Sequence, residues 1–281
     1  MDGGSVVVTG AASGIGRRAL VLLARAGWHA VAVTRSHERG APAVEEARAA
    51  LGPGGGRVTS VAADLAELAQ VRRAVDEIAA LGPVRAVINN AAVLAVARRR
   101  PRLTVDGIEE VLAVNHVAAF VLTTGLLAHL TDDGRVIGVA SRGLGAMPWL
   151  RIDPADLDSR RRWSAVRAYY RSKIAQLAFT AELARRGVPA AALRVPSVRL
   201  DDTRLAVYPR LLQIAYRPKQ RLATDPARVA AAYVALVERD EPQVGHIDMR
   251  GRRLPWPNDS GDPALAARVW AATEEFTGLT T

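Results

Sequence analysis

The stretch VVVTGAASGIGR, residues 6–17, passes from a β-branched run into three glycines and then into an amphipathic segment. A tight strand-to-helix turn needs residues without a Cβ. A helix that begins at such a turn presents unpaired N–H groups and the positive end of its dipole. That combination is an anion site, most often for phosphate. An ordinary glycine-rich turn reads the same way, so the rest of the chain has to decide between them.

Working outward, short apolar runs recur at residues 30–34, 58–62, 84–88, 136–140, 190–195 and 244–249. Their near-continuous apolar character suits strands covered on both faces, as in a parallel sheet with helices above and below. Between the first two runs Ile15, Ala19, Leu22, Leu23 and Ala26 form one helical stripe that Gly27 ends, and Leu68, Val71, Val75 and Ile78 form another before Gly82-Pro83. The alternation predicts an α/β fold: one doubly wound Rossmann-type domain over 1–281, with about seven parallel strands and a ligand beyond their carboxyl ends.

Composition agrees with a nucleotide enzyme. A chain of 281 residues that is 49% hydrophobic can bury a large core. No signal-type segment opens it and no run of about 18 apolar residues suggests a membrane span, so a cytoplasmic protein is expected. The absence of cysteine removes disulfides and thiolate chemistry, and the five histidines lack metal-binding spacing, so no metal is expected. The net charge of +10 invites a nucleic-acid reading. The basic residues are nearly all arginine and scattered, however, and the densest run, Arg98-Arg99-Arg100-Pro101-Arg102, reads as a solvated loop. No specific nucleic-acid partner is expected.

Cofactor choice is legible where the second strand ends, at Thr34-Arg35-Ser36. A carboxylate there would serve the ribose of NAD, whereas a guanidinium accommodates the extra phosphate of NADP. Arg35 favours NADP(H). The reaction class follows from RAYYRSKIAQLAFTAELARRG, in which Tyr169 and Lys173 lie four apart on a helical pattern and share a face. A cation beside a phenol lowers its pKa toward the range of an acid/base catalyst. Ser141, just after the run 136–140, could hold a substrate oxygen as charge develops on it.

On these residues the chain resembles the short-chain dehydrogenases/reductases from about Val6 to its end. Thr9-Gly10-Ala11-Ala12-Ser13-Gly14-Ile15-Gly16 fits the family's TGxxxGxG cofactor turn, Asp64-Leu65 its adenine-contacting position, and Asn89-Asn90-Ala91-Ala92 its NNAG strand end. Tyr169-Tyr170-Arg171-Ser172-Lys173 fits YxxSK, and with Asn115 and Ser141 completes an Asn-Ser-Tyr-Lys tetrad. Residues 104–116, the long gap between Ser141 and Tyr169, and the tail from Asp262 through Leu279 resemble the retinol-dehydrogenase-like and WW-domain-oxidoreductase-like branch, whose members act on lipophilic alcohols, aldehydes or ketones.

The resemblance implies hydride transfer between NADP(H) and a carbonyl or alcohol, with Tyr169 as proton donor, Ser141 holding the oxygen, Lys173 on the nicotinamide ribose and Asn115 seating a water. Segments 142–163 and 199–222 would contact substrate; Trp149 and Trp163 would form an aromatic wall or simply cover core. Dimers or tetramers are the family's habit. One departure stands out: where the family has Pro-Gly and then a threonine on the nicotinamide, this chain has Pro196-Ser197-Val198-Arg199, with Thr203 the candidate for a displaced threonine. That departure motivates an alternative, a catalytically altered NADP(H)-binding sensor or scaffold of the same fold.

Overall fold

The computed structural model describes residues 4–199, 220 and 223–279. Seven parallel strands form one sheet in the order β3-β2-β1-β4-β5-β6-β7. They are β1 (Ser5–Thr9), β2 (His29–Thr34), β3 (Val58–Ala62), β4 (Val84–Asn89), β5 (Leu130–Ser141), β6 (Ala190–Val195) and β7 (Gly245–Ile247). Side chains alternate across a strand, yet Val6 and Val8 enter one core while Val7 enters the other. Ala30 and Ala32 against Val31 and Val33, and Ala86 and Ile88 against Val87, divide in the same way. Both faces are covered, so the apolar runs show no period of two.

Helices α1 (Gly14–Arg25) and α2 (His37–Ala49) cover one face together with α7 (Pro226–Val237). On the other lie α3 (Leu68–Ala79), α5 (Ala118–Leu126), α6 (Ala165–Arg185) and α8 (Pro263–Thr277). The stripe on α1 is rotated from the one the sequence suggests: Gly16, Ala19, Leu20, Leu23 and Ala24 are buried, while Ile15, Leu22 and Ala26 flank them half-buried. The reason is Gly16, whose bare Cα lets α1 rest on the preceding turn. On α3, Ala74 takes the buried place expected of Val75, which packs instead against Gly125 of α5.

Residues Glu110–His129 form a continuous helical stretch of α4 (Glu110–Leu112), a π-turn (Ala113–Val117), α5 and a terminal 3₁₀ turn. Its best window has a mean hydropathy of 1.9, long and apolar enough to cross a membrane by composition alone, contrary to the sequence reading; 78% of that window is buried inside the fold. Its apolar character is thus accounted for by packing between the sheet and α3, α6 and α8.

Candidate active site

The site begins where strand order reverses between β1 and β4. Thr9 Oγ1 donates to the Ile88 carbonyl and accepts from the Ala91 N–H at 3.0 Å, while Asn90 Nδ2 donates to the Thr9 carbonyl at 2.8 Å. The buried Tyr233 hydroxyl completes this floor by donating to Asn90 Oδ1. Gly10 is left-handed at φ +67, and a Cβ there would stand 2.9 Å from Ala91 Cα. A Cβ on Gly16 would stand 2.5 Å from the Gly10 carbonyl oxygen. Asn90 and Ala91 therefore belong to the same turn as Gly10, Gly14 and Gly16.

The start of α1 has the form an anion needs. Ser13 occupies its N-cap without a side-chain cap bond, and its first turn holds no acidic residue. The helices around it are closed: Ser36 caps α2, Glu109 caps α4, Ser164 caps α6, Asp225 caps α7, Asp262 caps α8, and Asp106 accepts from the first N–H of α3. The N–H groups of Gly14, Ile15 and Gly16 are left to a ligand, and a phosphate fits them.

Arg35 stands half-exposed at the end of β2, with its Nε 3.4 Å from Asp64 Oδ2 beyond β3. The two residues assigned to the adenosine end thus meet, with Leu65 packed on the core beside them. Arg39 is exposed on the first turn of α2, four residues after Arg35.

Hydrogen bonds link the elements that carry the expected tetrad. Tyr169 and Lys173 lie one turn apart on α6. Lys173 is 2% exposed, and its ammonium donates to the Val139 carbonyl at 2.9 Å, two residues before Ser141 on β5. It also donates to Gln176 Oε1 at 2.8 Å. Burial pushes its pKa down to about 7. Asn115 sits in the π-turn; it accepts from the Val93 N–H at 2.7 Å and donates to the Val93 carbonyl and to Ser172 Oγ. Ser172 in turn donates to the Tyr169 carbonyl. Both Asn115 amide hydrogens are engaged, so its side chain positions its neighbours. Ser141 Oγ accepts from the Gly143 N–H at 3.2 Å. The Tyr170 ring stacks edge-on with Tyr169 and covers Gly143.

The segment 142–163 is exposed over much of its length and anchored at a few apolar positions. Leu144, Leu150, Ile152 and Leu157 join the core, and Asn258 holds the carbonyls of Met147 and Leu150. Trp163 donates its indole N–H to Glu109 Oε1, whose other oxygen caps α4; burial raises the Glu109 pKa. Trp149 is 72% exposed, and Trp163 is half-buried. Arg99, Arg100 and Arg102 are exposed on their loop, and Arg98 pairs with Glu110.

After β6, Pro196 leads into a short parallel bridge between Val198 and Thr224, and Val198 packs on the core under α1 and α7. Ser197 has no left-handed backbone, so the serine replaces the family's glycine without strain. Thr203 and residues 200–219, 221 and 222 of the second expected substrate segment lie outside the described residues.

The fold and this site together are those of a dinucleotide-binding oxidoreductase. Residues 5–152 match the family model described as short chain dehydrogenase. A Streptomyces (strain C5) protein named "Putative daunorubicin C-13 ketoreductase DnrU" is 33% identical over 284 residues, spanning 100% of this chain and 94% of its own. Retinol dehydrogenase 12 of Mus musculus is 30% identical over 288 residues, spanning 99% and 88%. The crystal structure of a short chain dehydrogenase from Burkholderia cenocepacia J2315 in complex with NADP matches with a TM-score of 0.64 at 25% identity, covering 88% of this chain and 96% of that one. The chain belongs to the short-chain dehydrogenase family and lies near its retinol-dehydrogenase-like branch.

Proposed function

We propose that the protein is an NADP(H)-dependent reductase of ketones or aldehydes on lipophilic or aromatic small molecules. The observation that carries this reading is the position of Tyr169 one turn before the buried Lys173, on a helix tied to Asn115 and to the end of β5 that bears Ser141. Relatives named for a ketone and for retinol agree with a lipophilic carbonyl or alcohol. The structural relative holding NADP, together with Arg35, supports the phosphorylated cofactor.

The open start of α1 would hold the cofactor's pyrophosphate, Arg35 its extra phosphate, Asp64 its adenine and Lys173 its nicotinamide ribose. Bound NADPH supplies hydride to the carbonyl carbon. Ser141 donates a hydrogen bond to the carbonyl oxygen as negative charge builds there. Tyr169 delivers the phenolic proton to that oxygen, and the Lys173 ammonium stabilises the phenolate left behind. Asn115 fixes Ser172, and through it the backbone at Tyr169.

NADPH oxidation with quinones, aromatic ketones and lipophilic aldehydes tests the proposal. Tyr169→Phe keeps the ring and should lower turnover at least ~10²-fold, with NADPH affinity retained, whereas Tyr170→Phe should matter little. An active Tyr169→Phe protein refutes the mechanism. NADPH binding without turnover on any of these substrates points to the sensor or scaffold instead.

A further inference from the structure

We propose that Gln176 is a positioning residue for Lys173, its side-chain amide clamping the ammonium between the carboxyl ends of β4 and β5. This deepens the reading of Tyr169 and Lys173 as the reacting pair and rests on it. Gln176 is buried three residues after the lysine, on the same face of α6. Its Oε1 accepts from Lys173 Nζ at 2.8 Å, and its Nε2 donates to the Asn89 carbonyl at 3.3 Å. The chemistry of the partners fixes the amide's orientation: an ammonium only donates and a carbonyl only accepts.

Asn89 is anchored in its own right through Nδ2 to Thr123 Oγ1 at 2.8 Å, and the next residue, Asn90, builds the floor of the glycine turn. Gln176 thus connects the proposed catalytic lysine with the strand end that carries the cofactor turn. The Val139 carbonyl and Gln176 take two of the three ammonium N–H groups, which aims the third. Without the clamp a flexible four-carbon stem would have to find that direction again in every encounter.

Among the described residues no carboxylate compensates the ammonium. β4 offers Asn89, β5 the Val139 backbone, and α6 Gln176 and Tyr169, of which Tyr169 is the titratable neighbour. Burial alone accounts for the depressed pKa of Lys173, so each neutral acceptor that favours the charged form counts.

The chain has two lysines, Lys173 and Lys219, so protein labelled with ¹³C at lysine Cε gives two signals, and Lys219→Arg assigns them. The wild-type Lys173 signal should titrate near 7. Gln176→Leu removes the acceptor and should lower that midpoint by about one unit; Gln176→Glu keeps an acceptor, adds a charge and should raise it by at least about one unit. A merely structural role predicts no such opposed shifts. If Gln176→Leu does not fold, the Gln176→Glu midpoint decides. Midpoints within about 0.3 units of wild type in the folded variants overturn the proposal. Fluorescence titration of NADPH into the same samples judges the functional reading separately: a wild-type protein without NADPH affinity overturns that reading, and the lysine midpoints still decide the clamp.

Discussion

His116 should make the protein lose stability as pH falls, by an amount the structure sets. The ring is fully buried in the π-turn beside Phe179, with Nε2 2.8 Å from Thr273 Oγ1. The Thr273 hydroxyl donates to the Val269 carbonyl, so it accepts from the ring, which fixes the Nε2–H tautomer and leaves Nδ1 without a hydrogen-bond partner. A second proton would place an unpaired charge in the core, and burial drives the pKa down to about 3. In the unfolded chain the ring titrates near 6.5, so below that pH the unfolded state binds the extra proton and the folded state does not. The contribution is fully present above about pH 6.5 and is lost progressively as pH falls toward the folded value of about 3. At about pH 5 the loss is about 1.5 units at ~1.4 kcal/mol each, or ~2 kcal/mol.

Urea unfolding followed by tryptophan fluorescence at about pH 7.5 and about pH 5 measures this loss in the wild type and in His116→Gln. The variant should be less stable at the higher pH, since it loses ring packing and perturbs the bond to Thr273. The gap should then narrow by ~2 kcal/mol at the lower pH, because glutamine does not titrate. Other titrating groups occur in both proteins and cancel in the difference. A gap that stays constant between the two pH values refutes the argument.

Gly16→Ala should lower stability by ~2–4 kcal/mol and weaken NADPH binding, because its methyl would meet the Gly10 carbonyl at 2.5 Å; chemical denaturation and fluorescence titration measure both. An alanine protein with wild-type stability would mean that the turn opens freely. Arg35→Asp should weaken NADPH ~10–100-fold and NADH much less, since it exchanges a phosphate-binding guanidinium for a carboxylate facing Asp64 at the same strand end. Equal losses for the two cofactors, or a wild-type preference for NADH, count against Arg35 as the phosphate ligand.

The sequence by itself determined the sheet and the turn at its switch point. Apolar runs without alternation require strands buried on both faces, and glycines between a β-branched run and an amphipathic segment require a close strand-to-helix passage; both are local consequences of Cβ sterics and burial. The helical spacing of Tyr169 and Lys173 was local too, and α6 confirms that they share a face. Tertiary structure decided whatever depends on residues far apart in the chain. The rotation of α1 follows from Gly16 meeting Gly10, and the exposure of Trp149 from the anchoring of its neighbours by Asn258. The clamp from Lys173 through Gln176 to Asn89 joins α6 to β4 across 87 residues, and the bond that fixes the His116 tautomer spans 157. A glutamine or a histidine in an apolar pattern carries no sign of its partner in sequence, because the partner is chosen by which helices the sheet brings together, and only burial turns that choice into a shifted pKa.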